Sequence, residues 1–316
     1  MAPASTTRNR ALIGVAVVAV VAAVVAAVLV LRDDGGDDPV EEVTTTTEPD
    51  SGPVAPLTGL RLDDGERAAR PDTARESAVP QDGLLRADVV FEQIVEGDIT
   101  RLVAVYQSQD PGRVGPVRSA RTTDVILLPQ LGRPLLAWSG GNDGVVEAVR
   151  SSPSIIDVGY SVASGSYHRS DDRPMPHNLY VDADELWGRA PEGTPPPPPL
   201  FSFRDDGEAA PDSASEAAGV DIVWGPGSAS ARVGWRWNDA LELYVRSQRD
   251  QPHLDAGGTP LVAANVVILE TPYGQSPADA RSPEAQTVGA GKAIVYTDGR
   301  VVEGTWDRPT AEVPAT

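Results

Sequence analysis

The most constraining feature of this chain is an uninterrupted apolar run, ALIGVAVVAVVAAVVAAVLVL, at residues 11–31. As a helix it would span roughly 30 Å, which matches the hydrocarbon core of a bilayer. Arg8 and Arg10 precede the run, and four aspartates follow it closely. Because positive charge tends to stay in the cytoplasm, this pattern predicts a cytoplasmic tail at 1–10 and an uncleaved transmembrane helix at 11–31. We expect a single-pass cell-membrane protein that is held in the membrane through 11–31 and carries its domains on the outer face, with a cleaved signal peptide as the alternative.

The charge balance and the absence of cysteine exclude several classes of partner. The sequence has 46 acidic residues against 26 basic ones, whereas nucleic-acid binding depends on neutralising phosphates. With no cysteine, the chain can form no disulfide, no thiolate metal site and no lipid anchor on an N-terminal cysteine. Its three histidines, His168, His177 and His253, do not show the spacing of a zinc site. We therefore expect no nucleic acid, no metal and no cofactor.

Two segments lack the side chains needed for a core. Residues 32–56 are rich in acid, threonine and proline, a composition that predicts a disordered acidic stalk. A second segment, APEGTPPPPPL at 190–200, contains five consecutive prolines, which favour a stiff polyproline helix. We predict a proline-rich linker over 191–215, with a long loop inside one domain as the alternative. The linker would separate an N-terminal mixed domain at 57–190 from a C-terminal β-rich domain at 216–316.

The first of these domains combines helical and strand patterns. In ADVVFEQIVE, Glu92 and Glu96 are four residues apart, which is a helical spacing. ITRLVAVYQ, at 99–107, alternates like a strand. Short helices are expected in SARTTDVILLPQLG (119–132) and after Asn142. Helices that alternate with strands are typical of a layered domain.

The second half favours antiparallel strands. Its alternating apolar positions are Val233, Trp235, Trp237, Leu241, Leu243 and Val245. A turn is expected at Asn238-Asp239, and Asp298-Gly299 predicts a second hairpin. The predicted fold class is therefore α+β, with an N-terminal mixed α/β domain followed by a mainly antiparallel β domain.

Three stretches carry the polar residues that could form a site: residues 92–101, GPVRSAR (115–121) and YHRSDDRPMPHNLY (167–180). In the last of these, two prolines hold the backbone extended and would fix the side chains in place. The candidates are Glu92, Glu96, Arg101, Arg118, Arg121, Arg169, Arg173, His177 and Asn178. Two interpretations stay open. The arginines and carboxylates form a closed structural network, or they line a cleft that receives an anion.

Four long segments resemble a known family. They are PQDGLLRADVVFEQIVEGDITRLVAVYQS (80–108), VGPVRSAR (114–121), RPMPHNLY (173–180) and GAGKAIVYTDGRVVEGTW (289–306). Together they are similar to the YerB-like lipoproteins, a bacterial family that is also called domain of unknown function 3048. The resemblance implies a mixed N-terminal domain and a mostly β C-terminal domain on the outer face of the membrane. It points to the same candidate residues and adds His253 and Asp255 in PHLD.

Three departures from the family pattern are expected to matter. The family's lipid-bearing cysteine is absent, and the apolar run stands in its place. The segment ERAARPDTARESAVPQ shows no strand where the family has one before Gln81. The polar RPTAEVPAT, at 308–316, stands where the family pattern adds a strand pair, which suggests an incomplete C-terminal domain.

Three functions compete on these grounds. We favour an envelope-associated binding module whose arginine, histidine and glutamate side chains hold an anionic ligand, such as a wall-peptide carboxylate or a teichoic-type polymer. The alternative is a hydrolase or transferase acting on a cell-wall polymer, with Glu92 or Glu96 and His177 as catalytic groups. The chain contains neither a G-x-S-x-G nor an H-E-x-x-H motif, which weighs against the enzyme. A third reading has the Trp235/Trp237 face dock another exported protein.

Overall fold

The computed structural model describes residues 13–20, 57, 70–75, 79–205, 208–225 and 231–316. The predicted cytoplasmic tail and acidic stalk lie outside these residues. The helices are α1 (Thr122–Leu127), α2 (Asp143–Ser151) and α3 (Ala183–Trp187). The strands are β1 (Ile13–Val20), β2 (Arg70–Arg75), β3 (Val89–Val95), β4 (Ile99–Tyr106), β5 (Arg113–Val114), β6 (Leu135–Leu136), β7 (Ile156–Asp157), β8 (Tyr167–Arg169), β9 (Leu179–Asp182), β10 (Ser215–Glu216), β11 (Gly219–Trp224), β12 (Ala231–Asn238), β13 (Leu243–Gln248), β14 (Gln251–Pro252), β15 (Val262–Ala263), β16 (Asn265–Ser276), β17 (Asp279–Ala285), β18 (Gly289–Thr297) and β19 (Arg300–Arg308).

The largest sheet draws strands from both halves of the chain. Within the described ranges it has nine strands, ordered β10-β19-β18-β16-β1-β3-β4-β2, with β17 paired to β16. A five-stranded sheet contains β11 to β15, and smaller sheets join β5-β9-β8 and β6-β7. Strands from before and after the proline-rich segment therefore share one sheet, and the division into two domains stays a prediction.

The prediction of a transmembrane helix at 11–31 is wrong. Residues 13–20 form strand β1, which pairs antiparallel with β16 on one side and with β3 on the other. No helix among the described residues is long and apolar enough to cross a bilayer. The run IGVAVVAV is rich in β-branched valine, which favours strands, and central strands of a covered sheet also read as continuous apolar stretches. The predictions of a signal anchor and of a single-pass membrane protein depended on this helix and are also wrong.

The fold class is mainly β with a few helices, so the expected N-terminal mixed domain is not a clear unit. One reason lies in ADVVFEQIVE, where the four-residue spacing of two glutamates suggested a helix. That segment forms β3 instead, in a hairpin with β4. A second correction concerns the strand before Gln81, which is present as β2 and pairs with β4. The helices expected near 119–132 and after Asn142 are confirmed as α1 and α2, and Asn142 caps α2 by accepting a bond from the Val145 amide at 2.9 Å.

The β3–β4 hairpin is covered on both faces, which explains its nearly uninterrupted apolar sequence. Val89 and Phe91 face one core cluster, where they pack with Leu128 and Trp138. Val90 faces the opposite cluster, together with Leu102 and Tyr106. A third cluster, around Trp224, Trp235 and Tyr244, fills the space between the five-stranded sheet and β16. Side chains of successive residues in β3 therefore pack in two different hydrophobic clusters.

Candidate functional site

The candidate residues divide between two polar groups on opposite faces of the β3–β4 hairpin. The first, called the arginine cluster below, contains Arg101, Arg118 and Arg121 with the carboxylates of Glu96 and Asp124. The second, called the buried pair, contains Glu92 and Arg246. The division begins at Glu92 and Gln93, because successive side chains of a strand point to opposite faces. Gln93 donates to Asp124 Oδ1 at 2.6 Å, whereas Glu92 binds Arg246.

Within the arginine cluster, Arg121 and Glu96 form a bidentate ion pair. Arg121 Nε lies 2.7 Å from Glu96 Oε1, and Arg121 Nη2 lies 2.5 Å from Oε2. Ser282, from β17, donates a further hydrogen bond to Glu96 Oε1 at 2.5 Å. Burial alone would raise the pKa of Glu96, but the bonds from Arg121 and Ser282 and the charge of Arg121 lower it to about 2. Glu96 therefore stays ionised and cannot act as a general acid near neutral pH.

Arg101 is the most deeply buried arginine of the cluster. It is 1% exposed and donates to the backbone carbonyl of Ser119 through Nη1. Its Nε has no hydrogen-bond acceptor among the described residues. Burial, together with the charges of Arg121 and Arg118, lowers the pKa of Arg101 to about 9, although Asp124 and Glu96 oppose this change. Three like charges therefore sit close together at this point.

Arg118 links the cluster to the loop RPMPHNLY. Its Nη1 donates to the carbonyl of Pro176 and lies 3.5 Å from Nδ1 of His177. Arg118 is 7% exposed, and His177 is half-buried. A guanidinium and an imidazole are thus neighbours at the edge of the cluster.

The other residues of that loop mainly hold its backbone. Arg169 Nη1 donates to Asn178 Oδ1 at 2.8 Å, and Asn178 Nδ2 donates to the carbonyl of Ser170 at 3.1 Å. Arg173 Nη2 donates to the carbonyl of Pro80 at 2.6 Å. These contacts fix the loop that positions His177.

The buried pair lies between the hairpin and the five-stranded sheet. Arg246 Nη2 is 2.9 Å and 3.1 Å from the two oxygens of Glu92, and Thr100 donates to Glu92 Oε1 at 2.6 Å. The side chains of Glu92 and Arg246 are 3% and 4% exposed. Arg246 also donates to Nδ1 of His253, so His253 carries its proton on Nε2 and donates it to Gln81 Oε1 at 2.8 Å. Both oxygens of Glu92 and both ring nitrogens of His253 therefore have hydrogen-bond partners.

A small cavity borders the buried pair. Its volume is about 20 Å³, enough for one water molecule. Besides the pair itself, apolar residues line it, namely Leu84, Val90, Leu102, Trp235, Leu261 and Val262. The cavity is too small for a substrate, and His177 contacts Arg118 rather than Glu92. Glu92 and His177 therefore belong to different groups of contacts, which does not favour joint catalysis by these two residues. Within the described ranges, no group of three or more histidine and carboxylate side chains could hold a metal ion.

Acidification is expected to destabilise the protein through His253. Burial and the adjacent Arg246 lower the pKa of His253 to about 2, so the folded protein keeps the ring neutral. The unfolded chain takes up a proton below its ordinary pKa of about 6.5. The unfolded state then binds more protons than the folded state. As the pH is lowered below 6.5, the free energy of unfolding therefore decreases by up to about 1.4 kcal/mol per pH unit.

Urea titrations at several pH values between about 6.5 and 5 measure this slope above the range of most carboxylates. The variant His253→Gln should lose it, whereas His168→Gln, at an exposed position, should retain it. An unchanged slope in His253→Gln would contradict the assignment.

Sequence reasoning missed Arg246, and a specific signal was available. The apolar alternation in ALELYVRSQRD falls on Leu241, Leu243 and Val245. In the structure Tyr244 and Arg246 point inward at 0% and 3% exposure, while Leu241 is 54% exposed. Trp235 pairs with Arg246 and Trp237 pairs with Tyr244 across the hairpin, so the inward positions are odd-numbered on β12 and even-numbered on β13. Arg246 lies two residues from Tyr244 in the strand, so the two side chains share a face. If Tyr244 points inward, Arg246 is also buried and needs a carboxylate partner.

Comparisons with known proteins agree with this architecture. A family model described as "Protein of unknown function (DUF3048) N-terminal domain" matches residues 57–195, and its C-terminal counterpart matches 221–316. One relative is YerB of Bacillus subtilis (strain 168), whose name assigns it provisionally to the lipoproteins. It is 29% identical over 269 residues, which cover 82% of this chain and 79% of the relative. The crystal structure of the Bacillus subtilis YerB protein superposes with a TM-score of 0.71 at 26% identity, covering 83% of this chain and 90% of that one.

Proposed function

The chain belongs to the DUF3048 family of YerB-like proteins, and we propose that it is an extracytoplasmic binding module that holds an anionic group at its arginine cluster. The observation that carries this proposal is the gathering of Arg101, Arg118 and Arg121 on one side of the hairpin, with His177 beside Arg118. Glu96 and Asp124 provide only two carboxylates for three guanidinium groups. Burial raises the pKa of Asp124, whereas the Arg121 amide, the charge of Arg101 and Gln93 act to lower it.

The chemistry of the cluster suits a carboxylate or a phosphate. Guanidinium groups bind both through paired, charge-assisted hydrogen bonds. The chain as a whole carries a formal net charge of -20, so long-range attraction does not draw anions to it. Recognition would therefore depend on the local geometry at Arg118 and His177, where the cluster approaches the surface. Carboxylates of wall peptides and phosphates of teichoic-type polymers have the required charge.

The name of the Bacillus relative supports an extracytoplasmic location. A bacterial lipoprotein carries its lipid on a cysteine, and this sequence contains none. We therefore transfer the location and not the lipid attachment. The third reading, docking through Trp235 and Trp237, is not favoured, because Trp235 is 3% exposed and packs in the core.

Binding is expected to raise the melting temperature of the full-length protein. The probes are purified wall-peptide fragments, which carry carboxylates, and polyglycerol phosphate, which carries phosphodiesters. A ligand that binds only the folded state stabilises it in proportion to the logarithm of its concentration above Kd. The variant Arg118→Gln removes one charge-assisted contact and should weaken binding roughly tenfold or more.

Two further variants make this test decisive. His177→Gln changes the same edge of the cluster while leaving Arg118 and its bond to Pro176 in place. Arg236→Gln makes the same change of side chain at an exposed pair with Asp221 and should leave binding unchanged. If neither probe shifts the melting temperature, or if all variants respond like the parent protein, the proposed site is wrong.

A further inference from the structure

The five-proline segment is buried with a three-residue period. Thr194 is half-buried, Pro197 and Leu200 are buried, and the residues between them are exposed. Those exposed residues are Pro195, Pro196, Pro198 and Pro199. A polyproline II helix has three residues per turn. One edge of such a helix therefore lies on the protein, and the other two edges face solvent.

Local chemistry enforces this conformation. Each proline ring fixes φ near −65°, and a residue that precedes proline is confined to extended or polyproline II geometry. None of the peptide bonds before these five prolines is cis. At about 3.1 Å per residue, the exposed edges form a straight ridge.

A local turn precedes the ridge, and the far end of the ridge is anchored in the core. At its start, Thr194 donates from its backbone N–H to the carbonyl of Pro191 at 3.1 Å and from its hydroxyl to the same oxygen at 2.7 Å. At its end, Leu200 is 4% exposed and packs in the core with Leu128 and Trp138. The ridge is thus a rigid surface feature, and little conformational entropy remains to be lost when a partner binds it.

The backbone of the ridge is also available for recognition. No carbonyl of residues 195–199 accepts a hydrogen bond from the described part of the chain. The exposed rings recur three residues apart, as Pro195 with Pro198 and Pro196 with Pro199. Proline-recognition domains read this arrangement by seating rings between aromatic side chains and donating hydrogen bonds to the carbonyls.

We infer that residues 194–200 form a preorganised polyproline II docking ridge for a partner protein with an aromatic-lined proline-binding groove. The ridge is separate from the arginine cluster, so this inference does not depend on the proposed anion site. The occupant follows from the chemistry of the ridge. It offers apolar rings and carbonyl acceptors, and it has no charged side chain between Thr194 and Leu200.

The test uses three purified proline-recognition domains as probes: an SH3 domain, a WW domain and profilin. Each is labelled with ¹⁵N and titrated with the full-length protein while its chemical shifts are followed. We expect saturable shifts at the aromatic groove of at least one probe. The double variant Pro196→Ala/Pro199→Ala removes two rings from one exposed edge and should weaken binding about tenfold or more.

Two controls decide the interpretation. Pro211→Ala changes an exposed proline outside the ridge and should bind like the parent protein. A free peptide of residues 191–203 reports on the same sequence without the fold. The inference is overturned if no probe binds the protein, or if a probe binds the free peptide and not the folded protein. It is also overturned if the double variant binds as well as Pro211→Ala.

Discussion

Replacing Arg246 by methionine is expected to lower the free energy of unfolding by about 3–5 kcal/mol. The substitution leaves Glu92 ionised at 3% exposure without its main counter-charge. It also removes the donor to Nδ1 of His253. Removing one partner of a buried pair is costly because the remaining charge has lost its hydration and gains nothing in return. Guanidinium chloride titrations monitored by tryptophan fluorescence measure the loss.

A matched substitution separates this effect from the loss of any arginine. Arg236→Met breaks an ion pair whose side chains are 53% and 70% exposed, and surface pairs contribute about 0–1 kcal/mol. The double variant Glu92→Met/Arg246→Met removes both buried charges and should recover most of the lost stability. If Arg246→Met costs no more than Arg236→Met, the buried pair does not have the role assigned to it.

Replacing Arg308 by methionine is expected to cost about 3 kcal/mol. Arg308 is 2% exposed and donates to five backbone carbonyls, those of Ile126, Leu127, Thr287, Ala311 and Val313. These oxygens lie at the end of α1, in the turn before β18 and in the C-terminal tail. Without the guanidinium, several buried acceptors lose their partner at once, and each such loss is unfavourable.

Two measurements check this prediction. Denaturant titration gives the change in stability, and limited proteolysis followed by mass spectrometry reports whether residues 309–316 become cleavable. Arg232→Met, at an exposed position on β12, is the control and should change neither quantity. A protected tail together with unchanged stability in Arg308→Met would contradict the account.

Local features of the fold could be predicted from sequence because short-range chemistry determines them. Asp298-Gly299 forms the turn between β18 and β19 with both residues at positive φ, 50° and 69°, as a two-residue hairpin requires. Asn142 caps α2 because its side chain can accept from the first turn. Neither outcome depends on distant parts of the chain, and the predicted turn and the predicted start of the helix are both confirmed.

The errors arose where distant partners decide the structure. An apolar run such as 11–31 satisfies the length rule for a membrane helix, yet two flanking strands make its first part the centre of a sheet. The spacing of Glu92 and Glu96 suggested a helix, but Glu92 lies in β3 and Glu96 lies in the turn that follows it. As part of a hairpin, Glu92 meets an arginine 154 residues away, whereas Glu96 meets Arg121.

The candidate site shows the same limit. The sequence analysis selected Arg101, Arg118 and Arg121 as residues to test together, and in the structure the charges of Arg118 and Arg121 act on Arg101. It could not name Ser282 or Asp124, because nothing near them in the sequence marks them as partners of Glu96 and Gln93. Whether the cluster binds an anion stays a prediction for the experiments above.

The strand order of the large sheet also has a kinetic consequence. Ile94 in β3 bonds through its amide to the hydroxyl of Tyr273 in β16, across 179 positions, and β1 pairs with both of those strands. Contacts between such distant residues require the closure of long loops, which slows folding. The central sheet can be completed only after β16 has been synthesised, so the edge of β1 that pairs with β16 stays unpaired until then. We therefore expect slow refolding and a tendency to aggregate in that interval.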